Sequence, residues 1–171
     1  MTPKMEYRLG RPHPPLEGRG MKFLAEHAGW MVAQSRRFLL VYSHRLDPSI
    51  YGRERFVDGV RRLVTGHPRA RVEILVADAA EAARAGHALL YLAQDLPSRI
   101  AIRRQPDEDA GDGPSFMVVD GLGVIHRPHW NRLDGVRVEY AARGWARRLE
   151  HVFESVWVRS DLSPELRRLH L

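Results

Sequence analysis

Three largely apolar runs, RFLLVYS (37–43), RVEILVAD (71–78) and SRIAIRR (98–104), each follow a stretch with helical spacing, and this alternation constrains the fold more than any other feature. RFLLVYS, a continuous apolar run, suits a strand buried on both faces, and the other two runs read as the second and third strands. Strands separated by helices pair in parallel through right-handed crossovers. The first helix covers 21–37, with Phe23, Leu24, Ala28, Met31 and Val32 on one stripe. A second carries Phe56, Val57, Val60, Leu63 and Val64 and closes at Gly66–His67–Pro68, as a helix stop should. A third spans 79–96, with Leu89, Leu90, Leu92, Ala93 and Leu96 inward and Pro97 ending it.

The second half changes rhythm. QPDEDAGDGP (105–114) is acidic and has no apolar anchor, so it reads as an exposed, mobile loop. Strands follow at 115–120, 123–127 and 136–141. A helix over 142–159 then carries Trp145, Leu149, Val152, Phe153, Val156 and Trp157 on one face. Ser163–Pro164 has the cap-and-first-turn signature of a short final helix reaching Leu169. The expected fold is α/β, one mixed sheet flanked by helices in the order α-β-α-β-α-β-β-β-β-α. Residues 1–19, with Pro3, Pro12, Pro14 and Pro15, read as a flexible tail, leaving 20–171 as the domain.

Composition narrows the function classes. At 171 residues with 44% apolar and 28% charged side chains, the chain is a soluble globular domain rather than a disordered one. No run of about 18 apolar residues is present, so no membrane-spanning helix is expected. The N-terminus lacks the apolar region of a secretory signal, and a cytoplasmic location is expected. The absence of Cys removes disulfides and thiolate metal sites. A net charge of +6 points to an anionic partner. Against that, only two of the 27 basic residues are lysines, a bias that genome base composition also produces.

In parallel sheets, sites lie beyond the carboxyl ends of the strands, here at 43–51, 77–80 and 103–114. His44, Arg45, Asp47 and Tyr51 occupy the first of these loops. They suit recognition of an anion or hydroxyl, although Asp47–Pro48 also reads as a helix cap with Tyr51 packed beneath it. Arg103, at a strand end, has the fork geometry for phosphate. His126 and His129 form a His-x-x-His pair, but Pro128 interrupts it and no metal site is expected. Arg61, Arg62, Arg143, Arg147, Arg148, Arg167 and Arg168 read as solvated helix faces, or as nucleic-acid contacts if the charge is functional.

SFMVVDGLGVIHRPHW (115–130), preceded by RFLLVYSHRLDPSIY and RVEILVAD and followed by VRVEYA and GWARRLEHVFESVWVRS, resembles one half of a phospholipase D-like domain over about 21–160. It is similar to a single-half bacterial branch of that superfamily. The resemblance implies an active-site hairpin carrying His-x-Lys-x4-Asp, with a nearby Glu on a later strand. Aligning Asp120 with that Asp puts Gly113 at the His and Ser115 at the Lys. Glycine offers no nucleophile and serine no cation, so no catalytic residue and no cofactor are assigned. The expectation is a catalytically inactive domain that binds a phosphate-bearing or anionic ligand through His44, Arg103 and His126, with Asp120 and Glu139 as further pocket candidates. The resemblance also implies a homodimer and an acyltransferase-type partner. The alternatives are a basic nucleic-acid-binding protein using surface arginines and a diverged enzyme with a non-standard nucleophile.

Overall fold

The computed structural model describes residues 7–85, 87–161 and Leu166. In chain order these form β1 (Leu16–Gly18), α1 (Met21–Ala33), β2 (Phe38–Ser43), α2 (Pro48–Tyr51) and α3 (Glu54–Gly66). Next come β3 (Arg71–Val76), α4 (Ala79–Ala85), α5 (Ala88–Asp95) and β4 (Ile100–Arg104). A single turn of 3-10 helix at Asp107–Asp109 precedes β5 (Ser115–Val119), β6 (Gly123–Arg127), β7 (Val136–Glu139) and α6 (Arg143–Trp157). The fold is the expected α/β one: a seven-stranded mixed sheet, ordered β1-β7-β6-β5-β2-β3-β4. The three apolar runs form its parallel part, with β2 beside β3 and β3 beside β4. The later strands add on antiparallel, β5 against β2 and then β6, β7 and β1 in turn.

Strand alternation divides the interior in two. Leu39, Val41, Ile74, Met117 and Val119 pack with α1, α3 and α5 on one face. Phe38, Leu40, Tyr42, Phe116 and Val118 pack under α6 on the other. Each inward side chain removed from water contributes on the order of 1.5–3 kcal/mol, so both registers are firmly set. Ala146, Leu149, Phe153 and Val156 form the buried stripe of α6; Val152, expected inside, lies at the margin and is 46% exposed. Helices α1 and α3 meet closely at Gly59, where a Cβ would stand 2.8 Å from Val32 Cγ1.

Three expectations need correction. The third helix is two, because His87 takes an extended conformation (φ −90°, ψ 166°) and begins α5 anew. Over its described part, residues 7–19, the tail is folded into the domain: Leu16–Gly18 pairs with Val136–Val138. There Tyr7 stacks on Trp30 and Tyr140, and the Leu9 N–H donates to Gln34 Oε1 at 2.8 Å. A proline-rich segment can still lie along a sheet edge. The acidic loop is also anchored, since Arg159 donates to Asp109 at 2.8 Å and Glu108 at 3.2 Å. Residues 1–6 and, apart from helical Leu166, the final helix expected at 163–169 lie outside the described residues. Among the described residues no helix is long and apolar enough to cross a membrane.

Candidate functional site

Asp120 and Gly121, with φ of 56° and 68°, are the central residues of the turn between β5 and β6, which the Leu122 N–H closes by donating to the Val119 carbonyl at 2.9 Å. Both positive values define a type I′ turn, the reason Asp-Gly is favoured there. The buried Asp120 carboxylate accepts the backbone N–H groups of Arg36 at 2.9 Å, Arg37 at 2.7 Å and Phe38 at 2.9 Å. It therefore ties the hairpin to the α1–β2 junction, at the edge where β2 begins. Ser115 lies at the other end of β5, five residues away, or roughly 17 Å at about 3.4 Å per residue. Glu139, paired with Arg137 at 3.0 Å, is also toward the Asp120 end, opposite Val124.

Four candidates do gather where β2 ends. The His44 ring lies flat on Trp130, centroids 3.7 Å apart and 4° from parallel. Arg45 extends over the same indole and pairs with Asp47 at 3.3 Å. Asp47 caps α2 by accepting the Ser49 N–H at 2.9 Å, and Tyr51 packs buried beneath it. Burial lowers the His44 pKa, opposed by the charge of Asp78. Burial raises the Tyr51 phenol, while the Arg127 guanidinium pulls it back.

Arg103 and His126 do not join them. Arg103 lies over the Trp157 ring at 4.3 Å and donates to the Trp157 carbonyl at 3.3 Å, clasping the end of α6. His126 leans on Trp145 at the start of α6, with burial lowering its pKa and Arg137 adding to that. Strands β6 and β4 stand four places apart in the sheet, about 19 Å at roughly 4.8 Å per strand. One small ligand cannot reach both.

Two unassigned residues complete the cleft end. Ser115 and Arg127 are directly opposite on β5 and β6, and both are buried, Arg127 being 7% exposed. Ser115 Oγ and Arg127 Nε have no hydrogen-bond partner among the described residues. With Tyr51, Ile50 and Leu24 they line a cavity of about 10 Å³, room for roughly one water or one oxygen atom. The three-residue connection 120–122 sets Val119 opposite Gly123 and therefore Ser115 opposite Arg127, one position on from the His126 that a two-residue Asp-Gly turn would place there. Next to it, Gly113, Tyr42, His44, Gln105 and Trp130 line a second cavity of about 50 Å³. Among the described residues, no group of three or more His, Cys, Asp or Glu could hold a metal ion.

Residues 21–169 match the family described as a domain of unknown function, DUF7931. The chain belongs to this family. No curated protein sequence matches it. Among solved structures it is similar to NucT from Helicobacter pylori, with TM-score 0.60 and 6% identity over 87% of this chain and 99% of that one. It is also similar to Nuc from Salmonella typhimurium, a phospholipase D family member, with TM-score 0.55 and 15% identity over 78% and 86%. TrmBL2, an archaeal chromatin protein with a DNA-binding mode of its own, gives TM-score 0.63 and 11% identity over 89% of this chain. This chain spans only 56% of TrmBL2. Identities this low speak to the fold, which is phospholipase D-like.

Proposed function

We propose that this chain is a catalytically inactive phospholipase D-like domain that binds a phosphate-bearing ligand at the carboxyl end of its parallel strands. The observation that carries this reading is Arg127. Where the resemblance expects His and Lys, Gly113 and Ser115 offer neither nucleophile nor cation, yet Arg127 brings a guanidinium opposite Ser115. No carboxylate pairs with it among the described residues, and its Nε is unpartnered. A buried, unpaired charge is costly, and an anionic ligand offsets that cost with charge-assisted hydrogen bonds. The cavity admits about one oxygen, so a whole phosphate enters only if the four-residue helix α2 and its Tyr51 give way. His44 and Trp130 flank the entrance side; Arg103 and His126 hold α6 rather than ligand. Since the chain supplies one half of a two-motif arrangement, the reading includes a homodimer joined across this face.

Calorimetric titration with inorganic phosphate, a phosphomonoester and a phosphodiester tests the proposal. Wild type binds at least one of them, Arg127→Met loses at least 10-fold in affinity, and no phosphodiester is hydrolysed. Unchanged affinity in Arg127→Met overturns the site, and turnover by wild type overturns the inactivity.

A further inference from the structure

A second basic feature lies at the opposite edge of the sheet, where β2 and β3 begin. Arg36, Arg37, Arg69 and Arg71, with Phe38, His67, Pro68 and Ala70, line an open groove of about 560 Å³. All four arginines are exposed. Arg71 pairs with Glu73 at 2.6 Å, whereas Arg36, Arg37 and Arg69 have no ion pair among the described residues. We propose that this edge is a docking surface for the phosphate backbone of a nucleic acid, held chiefly by Arg36, Arg37 and Arg69.

Both walls of the groove are rigid, which keeps the ordering cost of binding low. On one side, Asp120 fixes the backbone of residues 36–38 through three hydrogen bonds. Its charge is thereby spent on the main chain, and the Arg36 and Arg37 side chains are left to solvent. On the other, Arg99 donates to the carbonyls of His67 at 2.6 Å and Ala70 at 3.0 Å, bracing the turn that presents Arg69. The floor is Phe38, buried, with the guanidinium groups of Arg71 at 4.9 Å and Arg37 at 5.9 Å from its ring centre. Helices α1 and α3 end at Ala33 and Gly66, just before these arginines, and their carbonyl ends ease the crowding of positive charge. Glu73 is already paired with Arg71. Glu150 is the carboxylate that reaches toward the turn, its Oε1 3.1 Å from where a Gly121 Cβ would stand.

The charges point along two neighbouring strand starts and a turn rather than at one point. That spread suits a chain of phosphates better than a single small anion. Arginine forks match phosphate oxygens in pairs. A membrane surface fits less well: the exposed large apolar side chains, Tyr91, Leu133, Val152 and Val158, all lie outside the groove, leaving nothing there to insert.

Fluorescence anisotropy with labelled single- and double-stranded oligonucleotides, on the full chain, decides the matter. Three to four phosphate contacts give a log–log salt slope of roughly −2.1 to −3.6, so affinity falls on the order of 20- to 150-fold between 50 and 200 mM salt. The triple variant Arg36→Glu, Arg37→Glu, Arg69→Glu loses more than 10-fold at low salt, and the milder triple Gln variant loses in the same direction. The matched reversal Arg143→Glu, Arg147→Glu, Arg148→Glu on α6 changes affinity less than 3-fold. Circular dichroism and melting curves establish that every variant is folded. Equal losses in the two triple variants reduce the effect to net charge and overturn the proposal. So does absence of binding at low salt, or binding to phosphatidylserine vesicles without binding to oligonucleotides.

Discussion

Removing the carboxylate of Asp120 should unfasten the hairpin from the α1–β2 junction without touching the cleft. Asp120 is 5% exposed and accepts three main-chain N–H groups at 2.7–2.9 Å. A hydrogen bond to a charged group contributes about 1.5–3 kcal/mol, and three on one carboxylate do not add fully. Alanine also fits the left-handed conformation at φ 56° less well than Asp, costing about 1 kcal/mol more. Asp120→Ala should therefore lose about 4–6 kcal/mol in urea denaturation, a large share of the roughly 5–15 kcal/mol typical of a domain. Asp120→Asn separates the contributions. Asn tolerates the backbone and keeps one acceptor oxygen, enough for Arg37 and Phe38, so it should lose about half as much. Phosphate affinity, measured on the folded fraction of Asp120→Asn, should stay within 2-fold of wild type. If Asp120→Ala costs under about 1 kcal/mol, the carboxylate is not the fastening described here. If Asp120→Asn removes phosphate binding while leaving stability intact, Asp120 belongs to the cleft after all.

Arg127→Met should raise the midpoint of thermal unfolding by about 2–4 °C, the equivalent of roughly 1 kcal/mol, because it removes a buried unpaired charge; a lowered midpoint would mean the guanidinium is structural. Gly59→Ala should cost about 1–3 kcal/mol by chemical denaturation, since the new methyl meets Val32 Cγ1 at 2.8 Å and the Ala33 nitrogen at 3.3 Å; a stabilised variant would mean α1 and α3 separate freely. Acid should weaken the fold through His27, which burial lowers from 6.5 to about 4, with Glu26 opposing and His13 adding to the effect. Between those values the unfolded chain takes up a proton that the folded chain refuses, so stability is full above pH ~6.5 and falls as pH drops toward ~4, by up to about 3 kcal/mol. Urea melts at pH ~7 and ~4.5 measure the loss, and His27→Gln should lessen it; an identical pH slope in that variant sinks the assignment.

The sequence made the parallel strands legible because each apolar run follows a helical stretch; RFLLVYS buries both faces, while SRIAIRR, at the sheet edge, buries only Ile100 fully. It made Asp47 legible as a cap, because Asp-Pro writes a helix start locally. What it hid is non-local. Tyr7, Leu9 and Leu16 are isolated among prolines, and nothing nearby tells that Trp30, Gln34 and Tyr140 await them. The distance between Arg103 and His126 depends on sheet order, with β5, β2 and β3 interposed, and order is not encoded in the periodicity of any one strand. Ser115 and Arg127 form an intermediate case. An Asp-Gly turn marks the hairpin but on its own would set Ser115 opposite His126; Leu122 joins the connection, and that extra residue brings Arg127 opposite Ser115.

That hairpin also separates two roles that a motif reading merges. Asp120, one residue past the end of β5, stands five steps and some 17 Å from Ser115 at the strand's start, too far to exchange a proton with anything bound there. The carboxylate instead answers a local need. The chain leaves α1 at Ala33 and enters β2 at Phe38, and the intervening N–H groups of Arg36 and Arg37 belong to neither element. Buried donors without partners are costly, and a hairpin whose turn requires positive φ delivers an Asp to the place where they converge. The Asp therefore has a reason to persist when the cleft end holds Gly113 and Ser115. The same fastening fixes how Arg36 and Arg37 are displayed, so the residue that most suggests lost chemistry at one edge organises the basic groove at the other.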